Sequence, residues 1–193
     1  MESNNWVRTD EAEDVAGSIR HILRCWPQTS EDPQTWKWIA LAIHSALQGA
    51  CVCHLTTTAR PFGAVTERNA AEWSAYFSEP EGKPPETQLM ALPDLLKEVR
   101  KSNSAGNAGD GTSIRVNDSE LQWLQRFHKQ IRNQFIHFAP MGWSIETSGL
   151  AGLAHLASRI IGEVLDKNWG FRHKDEDWCS KLRADLTALT NLK

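Results

Sequence analysis

The sequence predicts an all-α protein, a helical bundle with an irregular, partly helical insertion at about residues 60–115. Three observations lead there. Apolar residues recur at helical spacing in five long stretches, no stretch alternates convincingly with the two-residue period of a strand, and the prolines fall between those stretches. At 193 residues the chain can build one sizeable core and is short for two, so a single domain over 1–193 is expected. It contains no internal repeat.

Asp10 to Trp26 reads as the first helix, with Val15, Ile19, Ile22 and Leu23 on one face and Pro27 beyond its end. Asp32-Pro33 predicts the start of a second, with Asp32 as N-cap and the helix running to about Thr57. Trp36, Ile39, Ile43, Leu47 and Ala50 form one stripe, and Trp38, Leu41, Ala42 and Val52 cover much of the remaining girth. Only Lys37, His44 and Gln48 make a polar strip, so this helix is expected at the centre of the bundle. Within the insertion, Glu67–Phe77 and Thr87–Arg100 have helical spacing, the second kinked or split by Pro93. Ser102–Gly111, SNSAGNAGDG, has the composition of a flexible loop, extending to about 116. Asn117 to Glu120 supplies caps for a strong helix ending near Phe138, where Pro140 and Gly142 stop it. Two more helices follow, from Ser148 to about Asn168 and from Asp175 to Leu192, with a short extended piece at Trp143–Glu146 between them and the motif helix. The nine tryptophans are expected mostly as packing residues.

Hydrophobic content of 40% with 23% charge is a soluble globular composition. A net charge of −3 argues against a general nucleic-acid coat and leaves room for a local basic cleft. The acidic start, MESNNWVRTDEAED, has no signal-peptide pattern, and the apolar run Trp38–Leu47 is too short to span a bilayer. A cytoplasmic protein without a membrane partner is expected. Cys25, Cys51, Cys53 and Cys179 follow no disulfide spacing. On a helix Cys51 and Cys53 lie about 200° apart, so they cannot close on one ion, and no metal site is expected.

One stretch carries chemistry. RNQFIHF, residues 132–138, closes the third of the five long helical patterns. On a helical wheel Leu124, Phe127, Ile131, Phe135 and Phe138 form a core stripe about 80° wide, and Arg132, Asn133, Ile136 and His137 lie outside it. An apolar Ile136 among polar neighbours predicts a surface that meets another surface. Asn133 and His137 are i,i+4, so the amide can orient the imidazole. Leu121–Ile145 contains no acidic residue but holds Arg126, Lys129, Arg132, His128 and His137, as a site for an anionic ligand would. Basic residues complementing a helix C-terminus would account for the same composition.

Arg132-Asn133-Gln134-Phe135-Ile136-His137 resembles the R-N-x-x-x-H form of the motif of the HEPN (higher eukaryotes and prokaryotes nucleotide-binding) superfamily. The following FAPMGWSIE, together with Trp36-Lys37-Trp38 and His44 to Gln48, is similar to unfused bacterial HEPN-like proteins. The resemblance covers roughly 33–58 and 115–168. It implies an up-down helical bundle that dimerises with its two motifs facing each other, and a metal-independent endoribonuclease that needs no cofactor. It also implies a toxin or phage-defence role, with an antitoxin or regulatory protein as partner, although some members have lost catalysis. One subgroup carries a tyrosine two residues after the histidine for nucleotidylation by its antitoxin; Ala139 stands there, which argues against a partner of that type.

The chemistry of the residues agrees. RNA brings its own 2′-OH nucleophile, so cleavage needs proton transfer and a counter-charge. His137 is the expected general acid or base, Arg132 the bidentate phosphate ligand, and Asn133 the group that orients either. Arg126, His128 and Lys129 are expected to contact RNA, and Ile136 the second subunit of a homodimer. Two other functions remain open at this point, a non-catalytic module binding nucleotide, RNA or protein, and a helical interaction protein whose Arg132 and His137 are structural.

Overall fold

The computed structural model describes residues 6–106, 112–137, 140, 142–167 and 169–193. Phe138, Ala139, Met141, Asn168 and the second half of the 102–111 loop, all part of the expectations above, lie outside the described residues. The chain is all-α, as expected. Among the described residues the only β pairing is an isolated antiparallel bridge between Val65 and Leu89.

Helix α1, Glu11–Cys25, begins where Asp10 accepts a hydrogen bond from the Glu13 amide at 2.8 Å, and a 3-10 turn follows at Trp26–Ser30. Helix α2, Thr35–Leu55, starts later than predicted. Asp32 accepts from the Gln34 amide at 2.9 Å and so closes the preceding turn instead of capping the helix, whose N-cap is Gln34. Its length and apolarity would suffice to cross a membrane, although the expected run had looked too short; 78% of that window is buried inside the fold. Helix α1, the later helices Leu92–Val99 and Leu150–Asp166 and the motif segment all pack on α2, burying Ile39, Ile43, Leu47 and Ala50 completely. Trp36 is only half-buried.

Gly49 sets how close α1 and α2 come. A Cβ there would sit 2.8 Å from Val15 Cγ2 and 3.3 Å from the Glu11 carbonyl oxygen. One turn earlier the Ser45 hydroxyl donates to Asp14 at 2.7 Å, so the two helices are joined by packing and by a hydrogen bond.

The insertion is more ordered than its composition predicts. Helix α3, Glu67–Ser78, is capped by Thr66; α4 is only Leu92–Val99, because Pro93 occupies the first turn and starts the helix instead of kinking it. Residues 87–91 are extended. The first half of the 102–111 loop is anchored, with Ser104 and Ala105 fully buried. His54 from the end of α2 shares a 2.8 Å hydrogen bond with the Ser104 hydroxyl, which donates onward to the Thr112 carbonyl, and the Thr57 hydroxyl donates to the Ala105 carbonyl.

The motif helix starts on a capping box between Asn117 and Glu120. It runs as α5, Asp118–Arg126, widens into a π-helical turn, Phe127–Arg132, and ends as α6, Asn133–Ile136. Helices α7, Leu150–Asp166, and α8, Glu176–Thr190, complete the bundle. The expected piece 143–146 has no regular secondary structure.

Candidate functional site: a groove between the central helix and a π turn

The π turn changes what the motif helix presents. In a π turn the hydrogen bond spans five residues instead of four, and the Asn133 amide accordingly donates to the His128 carbonyl. Side chains after the turn are rotated from where an unbroken α-helix would place them. Leu124, Phe127 and Phe135 of the predicted stripe are buried, whereas Ile131 is only half-buried. Such turns recur at functional positions because they re-aim a side chain without ending the helix.

Here the turn aims His128 and Arg132 at α2. His128 Nδ1 lies 2.9 Å from His44 Nε2, one nitrogen carrying the proton of the bond, and the two rings meet edge to edge with centroids 5.1 Å apart and planes 28° from parallel. His44 is 5% exposed and forms the floor of a groove of about 420 Å³. Arg132 and Ile136 line one wall, and Trp38, Leu41 and His21 line others. Trp38 is 53% exposed and Ile136 46%, so the rim is apolar while the interior offers an imidazole and a guanidinium. The Lys37 ammonium lies 4.9 Å from the centre of the Trp38 ring.

Burial pushes the His44 pKa down from its ordinary 6.5 to about 3, reinforced by the positive charge of Arg132 and then by His128. The His128 pKa is lowered too, by burial and then by Arg132 and Lys129, with Asp94 opposing. Both imidazoles are therefore neutral at pH 7. Arg132 is left as the positive charge of the groove interior, where an anion would meet it in partly desolvated surroundings.

The predicted site residues separate into groups. Arg132 and Ile136 share the groove. Asn133 is half-buried, and its side-chain oxygen accepts from Arg132 at 3.0 Å; its link to His137 is through the backbone, the His137 amide donating to the Asn133 carbonyl at 2.8 Å. His137 caps α6 and is exposed. Lys129 is exposed and does not line the groove. Arg126 lines a different cavity, of about 530 Å³, with Trp123, Gln130 and Trp143. His128 is half-buried and held by His44. The groove residues on α1 and α2 were not foreseen as site residues, Trp38 and His44 foremost among them. The signal for His44 was its place on the polar strip of the most apolar helix, since an imidazole there must meet a polar partner.

Among the described residues no group of three or more histidine, cysteine or acidic side chains could hold a metal ion. Cys25 Sγ lies 3.4 Å from His21 Nε2, and burial raises the Cys51 and Cys53 thiols to about 12, so those two stay protonated. Comparison with family models, curated proteins and solved structures gives no match to the chain.

Proposed function

We propose that the protein is a metal-independent endoribonuclease of HEPN type, acting in the cytoplasm as a homodimer in toxin or phage-defence systems. The observation that supports this best is Arg132, half-buried beside a neutral histidine pair in a groove whose apolar rim includes Ile136, with His137 exposed just beyond. In this reading one His137 takes the proton of the RNA 2′-OH. The 2′ oxygen attacks the adjacent phosphorus, and the bond to the 5′ oxygen breaks. The partner's His137 protonates that leaving oxygen, and a 2′,3′-cyclic phosphate and a 5′-OH end result. Arg132 neutralises the charge that builds on the non-bridging oxygens of the pentacoordinate phosphorane. Two-fold symmetry supplies the second histidine that one chain lacks in the motif.

The test is cleavage of mixed cellular RNA in EDTA by wild-type protein and by His137→Ala, prepared in parallel. Cleavage by the wild type alone, with cyclic-phosphate ends, is expected; equal cleavage by both assigns it to a contaminant. One observation favours a second reading, a non-catalytic module that binds nucleotide, RNA or a protein. The Asn133 side chain is engaged by Arg132, and among the described residues no side chain orients the His137 imidazole. Retained RNA affinity with no cleavage would select it.

A further inference from the structure

Helix α3 is held to the protein unlike any other helix. It makes no substantial packing contact with another helix among the described residues, and its one buried residue is polar. Asn69 donates to the Glu86 carbonyl at 2.9 Å and accepts from the Gln88 amide at 2.8 Å, so hydrogen bonds tie the helix to the segment that returns from it.

Its aromatic residues pack on Phe62 of the preceding turn and form a cluster apart from the main core. Phe62, Trp73 and Phe77 lie with ring centroids 5.6–5.9 Å apart in every pair and planes within 27° of parallel. A column of three stacked rings would put the outer pair at about twice the spacing, so the rings form a compact cluster. Tyr76 meets Trp73 and Phe77 edge-on. None of the four belongs to the main core or packs against it, and Phe77 is 64% exposed. Phe62, Trp73 and Tyr76 are half-buried, so Phe77 is the exposed apex of the cluster, and apolar surface of this kind on a folded chain marks interaction sites.

Charge decides what fits. Residues 67–86 carry Glu67, Glu72, Glu79, Glu81 and Glu86 against Arg68 and Lys83, a net charge of −3, equal to that of the whole chain. Glu72, one turn before Tyr76, is paired with Arg68 at 2.9 Å, whereas Glu79 and Glu81 follow directly where the helix ends, close in sequence to Tyr76 and Phe77. A nucleic acid could stack on the rings, but its phosphates would face these carboxylates. The geometry points to a docking face for a basic segment of a partner protein, whose apolar residues cover the ring cluster while its lysines or arginines reach the glutamates and the ring faces.

The test titrates the isotope-labelled full chain with two helical peptides of identical leucine spacing, one bearing Lys and Arg at its remaining positions and one bearing Glu. The basic peptide should shift the amides of residues 62–79 and bind at least about tenfold more tightly than the acidic one. Trp73→Ser with Phe77→Ser should abolish the shifts, and Glu79→Lys with Glu81→Lys should weaken the basic peptide about tenfold. Circular dichroism and denaturant melting establish that both variants fold. Equal affinity for both peptides, binding to neither, or binding indifferent to the variants overturns the proposal. So does a dimer that dissociates on Phe77→Ser, which gives the face to a second copy. Single-stranded RNA shifting the same amides gives it to nucleic acid and also overturns it.

Discussion

The groove beside Arg132 and the face of α3 both leave aromatic surface in water, yet they are built in opposite ways. Trp38 stands on the most buried helix of the bundle, beside a guanidinium and above a neutral histidine pair. Trp73 and Phe77 stand on the least packed helix, bordered by glutamates. An exposed ring alone says that something binds. Its neighbours say what: positive charge with proton-transfer groups suits a polyanion, and negative charge suits a basic protein segment. The supporting element differs too. A groove floored by the core is rigid, as catalytic geometry requires, whereas a helix tied on by hydrogen bonds can adjust to a partner.

The largest expected difference between the two regions is in activity. Arg132→Ala should abolish RNA cleavage and Arg132→Lys should not restore it, because an ammonium lacks the bidentate fork; Phe77→Ser should leave the cleavage rate unchanged. Gel analysis of end-labelled RNA reads all three. Next is stability. Ile43→Ala removes part of a fully buried side chain beneath the groove and should cost about 2–5 kcal/mol in denaturant unfolding. Phe77→Ser should cost less than about 1 kcal/mol.

A third difference lies in acid sensitivity. His44 has a folded pKa of about 3 against an ordinary 6.5, so the unfolded chain binds the proton more readily. The stability this group confers is full above pH 6.5 and is lost as pH falls from there toward 3. Within that window the slope should be up to about 1.4 kcal/mol per pH unit, and buried His54, lowered to about 4, adds a similar slope over a narrower range. Urea titrations across pH 4–7 should show a flatter profile for His44→Gln and an unchanged one for Trp73→Ser. Smallest is the effect on assembly: Ile136→Asp should weaken the proposed homodimer about tenfold by sedimentation while Phe77→Ser leaves it intact.

Much of the bundle was legible because its apolar periodicity is long. Ile39, Ile43 and Leu47 lie where their spacing puts them, and Asp10, Asn117 and Asp175 cap helices as residues of their kind do. Trp38 and His44 exchanged their expected surroundings, the tryptophan exposed and the histidine buried. Residue polarity states a preference, but which neighbour lies alongside decides burial, and that neighbour was 84 positions away at His128. The π turn was not legible either, since one widened turn barely alters a hydropathy pattern read over five turns. Arg132 and Ile136 share a surface in the structure as in the sequence reading. Arg126 faces a different cavity, and even on an unbroken helix it would lie about 120° round from Arg132.

The close approach at Gly49 has a consequence for anyone seeking to stabilise the protein. Replacing a mid-helix glycine by alanine ordinarily gains about 0.5–1 kcal/mol by removing freedom from the unfolded chain. At Gly17 and Gly162 an added methyl group meets nothing within 4 Å, and the ordinary gain is expected. At Gly49 the same methyl group would press on fully buried Val15 and on the α1 backbone, forcing apart the two helices that also carry His21 and His44. Three substitutions alike on paper therefore divide by sign, and the unfavourable one would also widen the groove. A thermostabilising library should vary the first two positions and leave the third alone.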